Sequence, residues 1–167
     1  MPLGHVTHAA QQGVHVLRYF GTVNYTLAPG LHHFLQRLLV DDHVSGLVFD
    51  LTAAESLDST NLGLMARANE QVRESGAPNS VIISSNADID VVLRSMGFDQ
   101  TFDLLPATEK PSEYADKQVA TPAPSVAELQ RTMIDAHRAL IRMSEAGRVA
   151  FEQVVSCLEG DGCAGHS

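Results

Sequence analysis

Apolar and polar positions are spaced unevenly along the chain, and the changes in spacing divide it into elements. Val14-His15-Val16-Leu17-Arg18-Tyr19-Phe20 is rich in β-branched and aromatic residues and predicts a strand. Gly21-Thr22 interrupts it, and Val23-Asn24-Tyr25 resumes it as a hairpin partner. Pro29 suits the first turn of a helix. Leu31, Phe34, Leu35, Leu38 and Leu39 then recur at helical spacing, and Val40-Asp41-Asp42-His43 closes the helix. Gly46 to Leu51 is a short continuous apolar run, the pattern of a central strand covered on both faces. After it, Asp58 is placed to cap a helix with Ser59 at its first position. Leu62, Met65, Ala66, Asn69 and Val72 share a face of that helix, which Gly76-Ala77-Pro78 ends. Val81-Ile82-Ile83 predicts another strand. Asn86 or Asp88 caps a short helix through Val91, Val92, Leu93 and Met96, ending at Gly97. Phe98 and Phe102-Asp103-Leu104-Leu105 return to the sheet.

Strands followed by alternating helix and strand argue for an α/β sheet with helices mainly on one side. The pattern delimits a domain over 12–105, since the first ten or so residues read as a leader with little to bury. Residues 106–124 hold Pro106, Pro111, Pro122 and Pro124 among polar residues and read as a linker. Ser125 then caps one long amphipathic helix over 125–158, and 159–167 is a tail. The helix stripe runs through Val126, Leu129, Met133, His137 or Ala136, Leu140, Met143 or Ser144, Gly147, Phe151, Val154 and Leu158. So long an apolar stripe needs cover from its own domain, from a second copy in a homodimer, or from a partner. Docking on its own domain is the plainest of the three. The chain has no internal repeat.

Composition narrows the function. With 167 residues, 44% hydrophobic, the chain can bury one core and a small appendage. Its formal charge of −9, without any Lys/Arg cluster, argues against nucleic-acid partners and anionic membrane surfaces. No apolar run approaches the ~18 residues of a membrane span. The N-terminus has no signal-peptide pattern, so a cytoplasmic location and no membrane insertion are expected. Cys157, Cys163 and His166 stand near the C-terminus at a spacing that matches no zinc knuckle. No metal or cofactor is expected there, and the cysteines read as ordinary reduced thiols.

The chemistry concentrates in Leu57-Asp58-Ser59-Thr60-Asn61-Leu62-Gly63-Leu64-Met65, where a strand hands over to a helix. A hydroxyl there is open to four readings: nucleophile, cap, anion site or phosphorylation switch. A nucleophile needs a base. None of the eight histidines falls in a triad motif, and the loop is not Gly-x-Ser-x-Gly. There is no P-loop and no dinucleotide Gly fingerprint. Asp50, near the end of the first apolar run, reads as a loop-organising or partner-facing carboxylate.

Three stretches share one resemblance. They are Val14 to Leu39 with Gly21 and Ala28-Pro29-Gly30-Leu31, Leu47 to Leu64 with the Asp-Ser-Thr loop, and Ile89 to Leu105 with Met96-Gly97-Phe98-Asp99. Their order and spacing resemble the STAS domain of bacterial anti-sigma factor antagonists. The resemblance implies a four- to five-stranded mixed sheet with helices on one face, here followed by the long C-terminal helix. It implies no enzymatic activity but a protein-binding switch of a partner-switching pathway. The partner is an anti-sigma factor or serine kinase, and a PP2C-type phosphatase resets the switch. Ser59 matches the phosphoacceptor and Asp58 the acidic residue before it. Thr60 is the runner-up acceptor. Asn61 departs from the family, which commonly has Gly there. The binding surface is expected to centre on Asp58, Ser59, Thr60, Asn61, Leu62 and Met65, with Asn24 and Tyr25 at its rim. The alternative is a STAS-type accessory subunit of a lipid or anion transporter.

Overall fold

The computed structural model describes residues 4–41, 43–107 and 116–160. Its sheet has six strands, ordered β5-β4-β3-β2-β1-β6. These are β1 (His5–Gln11), β2 (Val14–Val23), β3 (Gly46–Leu57), β4 (Val81–Ser84), β5 (Asp103–Pro106) and β6 (Lys117–Gln118). The helices are α1 (Ala28–Asp41), α2 (Ser59–Glu74), α3 (Ala87–Ser95), α4 (Phe98–Thr101), α5 (Val126–Met143) and α6 (Glu145–Leu158).

Strands β2 to β5 are parallel and step in one direction across the sheet. Right-handed crossovers that all step one way put every connecting helix on the same face. The core lies between that face and the helices. Leu17, Tyr19, Leu47, Phe49, Leu51 and Ile82 from the sheet meet Leu31, Leu35, Met65, Val72 and Leu93 from the helices. Burial pushes the Tyr19 hydroxyl pKa far above the ordinary phenol value.

Two strands lie where the sequence pattern suggests none. The expected leader is β1, antiparallel to β2 with Val6 opposite Tyr19. Gln12 and Gly13 join them, both with positive φ (53° and 83°), as a tight hairpin turn requires. The partner of β2 is therefore the segment before it, and Val23 is simply its last residue. Gly21 does not break the strand, because its positive φ (69°) carries a bulge. Within the expected linker, β6 pairs antiparallel with β1 and covers its edge. Among the described residues the sheet thus has six strands rather than four or five.

The face opposite the helices carries an ion-pair cluster. Arg18 bonds Asp50 and Asp116, each at 3.2 Å, and Asp116 also accepts from Thr7. Burial works against the Arg18 charge, but the hydrogen bonds and charges of the two aspartates outweigh it and raise its pKa. Asp50 also accepts from the Thr52 amide and hydroxyl. It organises the middle of a strand, because β3 runs on to Leu57.

The single C-terminal helix is two helices. Ser144 ends α5 and caps α6. Its hydroxyl donates to the Met96 carbonyl (2.7 Å) and accepts from the Gly147 amide (2.9 Å). The resulting hairpin makes a third layer over α2 and α1. Cys157 is disulfide-bonded, not a reduced thiol. Pro111, Cys163 and His166 lie outside the described residues. No helix among the described residues is long and apolar enough to cross a membrane.

Candidate functional site

Helix α2 begins at the end of β3, whose Leu57 pairs with Val23 of β2. Asp58 is in the extended region and its carboxylate accepts from the Asn61 amide at 3.0 Å. This is an N-cap, and it leaves Ser59 as the first helical residue. Asn61 turns inward. It is fully buried, and its side-chain amide donates to Asp58 (2.9 Å) and to the Val23 carbonyl (3.4 Å). With its Cβ inside the protein, this helical position needs no glycine.

Little of α2 faces solvent. Thr60, Asn61, Leu62 and Met65 are all at most 2% exposed. Met65 belongs to the core, and so does Leu62. Four of the residues expected on a binding surface are therefore inside the molecule. Ser59 and Asp58 are half-buried, Asn24 caps the turn Tyr25–Leu27, and Tyr25 is 45% exposed. Beside them runs a shallow apolar groove formed by Leu57, Leu62, Ile89, Val92 and Leu93, with Glu55 and Asp88 at its edge.

The C-terminal hairpin accounts for the rest. Ser59 Oγ stands 2.8 Å from His137 Nε2, and His137 Nδ1 stands 2.6 Å from the Met133 carbonyl oxygen. A carbonyl only accepts, so in the neutral ring Nδ1 carries the proton. Nε2 is then an acceptor, and the Ser59 hydroxyl donates to it. His137 is 3% exposed and its ring packs against Phe151 of α6. One turn further along α2, Gly63 lies against Ala136, and a Cβ on Gly63 would meet the Ala136 carbonyl oxygen at 2.2 Å. Arg67 pairs with Asp135 (3.2 Å) and Glu70 with Arg142 (3.0 Å). Ser59, Gly63, Arg67 and Glu70 form one stripe of α2, and α5 lies along all of it.

Sequence reasoning reached Ser59 and its cap but missed His137, which is 78 residues away. The available signal was a histidine inside an apolar helical stripe. Such a position asks for a polar partner, but the sequence does not say which.

A model of the STAS domain matches residues 5–111. The chain belongs to the STAS domain family. No curated protein matches it in sequence. Among solved structures, its STAS fold is similar to an anti-sigma factor antagonist from Mycobacterium paratuberculosis (24% identity, TM-score 0.55). That match covers 63% of this chain and 87% of that one. It is also similar to the anti-sigma factor antagonist SpoIIAA in its unphosphorylated form (14%, TM-score 0.55, 62% and 87% covered). The Bacillus cell fate determinant SpoIIAA in the phosphorylated form is a further likeness (14%, TM-score 0.52, 62% and 90% covered). The STAS match begins at β1 and ends before β6, so α5, α6 and His137 lie outside it.

Proposed function

We propose that this protein is an anti-sigma factor antagonist, a protein-binding switch without chemistry of its own, and that Ser59 is its phosphoacceptor. The observation that carries this reading is the Asp58-capped helix start, which sets a hydroxyl at the first position of α2 on a STAS fold. Thr60 is the weaker candidate, since it is 2% exposed. Two solved relatives of the fold are named for the unphosphorylated and phosphorylated forms of one antagonist, which fits a switch of this kind.

The physics of the site supports a switch that spares the fold. A phosphate adds about −1.5 to −2 charges at neutral pH. The free N–H groups and dipole of the α2 N-terminus favour that charge locally. The cost falls on whatever packs against Ser59, a partner above all, which meets a dianion beside Asp58 on a chain already at −9. A loss of about 2.7 kcal/mol of binding is a hundredfold in affinity.

The Ser59–His137 pair has the spacing of a nucleophile and its base, but His137 Nδ1 is bound to a backbone carbonyl and not to a carboxylate. A carboxylate in that place would stabilise the charged ring that base catalysis forms. We read the pair as a lock.

The test uses a purified anti-sigma factor with serine kinase activity, ATP, and three forms of the chain: wild type, Ser59→Ala and Ser59→Asp. Wild type should be phosphorylated at residue 59 and released, Ser59→Ala should stay bound, and Ser59→Asp should bind weakly from the start. Failure of all three to bind it, with no phosphate at residue 59 and capture of the same transporter component by each, would sink the reading. The fitting description would then be a cytoplasmic accessory subunit of a lipid or anion transporter.

A further inference from the structure

We propose that the α5–α6 hairpin is a removable cover over the Ser59 face of α2, and that hairpin and protein partner exclude each other there. The inference rests on the reading of Ser59 as the switch residue, and it adds a self-closed state to that switch.

The cover is fitted to its seat. Three glycines on different elements of the STAS domain sit where the C-terminal segment crosses. A Cβ on Gly30 of α1 would come within 2.7 Å of the Ala120 carbonyl oxygen and of the Thr121 Cα. On Gly63 of α2 it would strike the Ala136 carbonyl, and on Gly97, between α3 and α4, it would come within 2.7 Å of the Ser144 Cβ. Contacts below 3 Å cannot be relieved by rotating a side chain when the obstacle is backbone. Gly63 is therefore the position where the hairpin itself demands a glycine; Gly30 meets the segment that leads into α5, and Gly97 has a positive φ (84°) that favours glycine on its own account.

The cover also obstructs the switch. The Ser59 hydroxyl is already in hydrogen-bond contact with a buried imidazole. A phosphate there needs the space that the His137 ring fills. A kinase must reach the same hydroxyl, which is half-buried and bonded to a side chain of α5. Both modification and docking on the α2 stripe require the hairpin to lift.

The chemistry of the contact allows lifting. The residues that α5 buries are Thr132, Ala136, His137, Ala139 and Leu140, of which only Leu140 is a large apolar side chain, and the hairpin adds the partly buried Met143 and Phe151. Ion pairs at the edge, Arg67–Asp135 and Arg142–Glu70, exchange readily for water. Lifting the hairpin leaves the sheet and the inner faces of α1, α2 and α3 packed on one another. Few buried apolar contacts and exposed polar ones mark a unit that opens before the rest of a fold. A partner that binds only the open form loses apparent affinity in proportion to the closed population, about a hundredfold if one molecule in a hundred is open.

The test has a partner-free arm and a partner arm, both on the full chain. In the first, amide hydrogen exchange read by mass spectrometry compares α5–α6 with β2 and β3. Hairpin amides should exchange at least about a hundredfold faster than the central strands. Asp135→Lys sets like charge against Arg67, and Ala136→Glu forces a carboxylate against Gly63. Each should speed hairpin exchange further while the strands keep their protection. Asp135→Lys is the safeguard should Ala136→Glu fail to fold. In the second arm, a purified anti-sigma serine kinase should bind Asp135→Lys about tenfold more tightly than wild type. Hairpin and strands exchanging as one unit would overturn the cover, as would equal kinase affinity for closed and opened forms. Early hairpin exchange with no kinase binding by any form would remove the kinase reading of Ser59 and leave the cover standing.

Discussion

The two faces of α2 are packed on opposite principles. Its inner face meets a sheet that presents Tyr19, Phe49 and Leu51, and fills the space with Leu62, Met65 and Val72. Its outer face meets α5, which brings one large buried apolar side chain, Leu140, and otherwise a close glycine–alanine approach, a serine–histidine hydrogen bond and two charge pairs. The first contact is held by apolar area, which water cannot replace, at about 25 cal/mol per Å². The second is held by close backbone approach and by polar bonds that water can replace at modest cost. One helix thus carries a permanent interface and a conditional one, and the candidate switch residue lies on the conditional side.

The largest expected effect breaks the inner contact. Phe49→Ala removes a fully buried ring from the centre of the sheet and should cost about 3–5 kcal/mol. Denaturant unfolding should show one early transition in which sheet and hairpin are lost together.

Gly63→Val attacks the outer contact alone. The new side chain meets backbone, so the hairpin must shift, at about 1–3 kcal/mol of overpacking. Hydrogen exchange should show α5 and α6 losing protection about tenfold or more while β2 and β3 keep theirs. Equal loss in both regions would erase the distinction between the two faces.

Acid sharpens the comparison at the junction of α1, α2 and α5. Burial lowers the His32 pKa, Arg67 and His33 lower it further, and Asp135 opposes them. Above the ordinary imidazole value of about 6.5 the ring is neutral whether folded or not, and it contributes no pH dependence. Below that value the unfolded chain takes up a proton that the folded ring resists. Stability therefore falls as the pH is lowered below that value, until the folded pKa is reached, by no more than about 1.4 kcal/mol per pH unit for one proton. Thermal melts at pH 7.5 and 5.5 should differ, and His32→Gln should reduce the difference.

The smallest effect belongs to Arg142→Ala. Its pair with Glu70 is bidentate but exposed, so the loss should lie within about 1 kcal/mol. Added salt should shrink it further.

Local signals were legible in the chain wherever neighbours in sequence are neighbours in space. The Asp58 cap and Ser59 as first helical residue follow from a side chain bonding an amide three residues on. Ser125 caps α5 by the same rule, through the Glu128 amide. The α/β order from Val14 to Leu105 follows from apolar spacing, apart from Phe98, which starts α4 instead of returning to the sheet. Where a single residue decides, the pattern misled. Gly21 reads as a breaker, although its positive φ lets β2 continue. Ser144 reads as a stripe position, although it ends one helix and starts the next.

The sequence by itself determined an α/β order with helices mainly on one side and the place of its candidate switch, because helix caps and apolar periodicity act over a few residues, and three of its motifs carry the resemblance to the STAS family. Only the tertiary structure decided that β1 and β6 complete the sheet, that Met65 faces inward, and that His137 holds Ser59. Those outcomes depend on which surfaces meet across tens of residues. Gly63 and Ala136 are small for reasons that exist only once their helices cross, and no local pattern records a crossing.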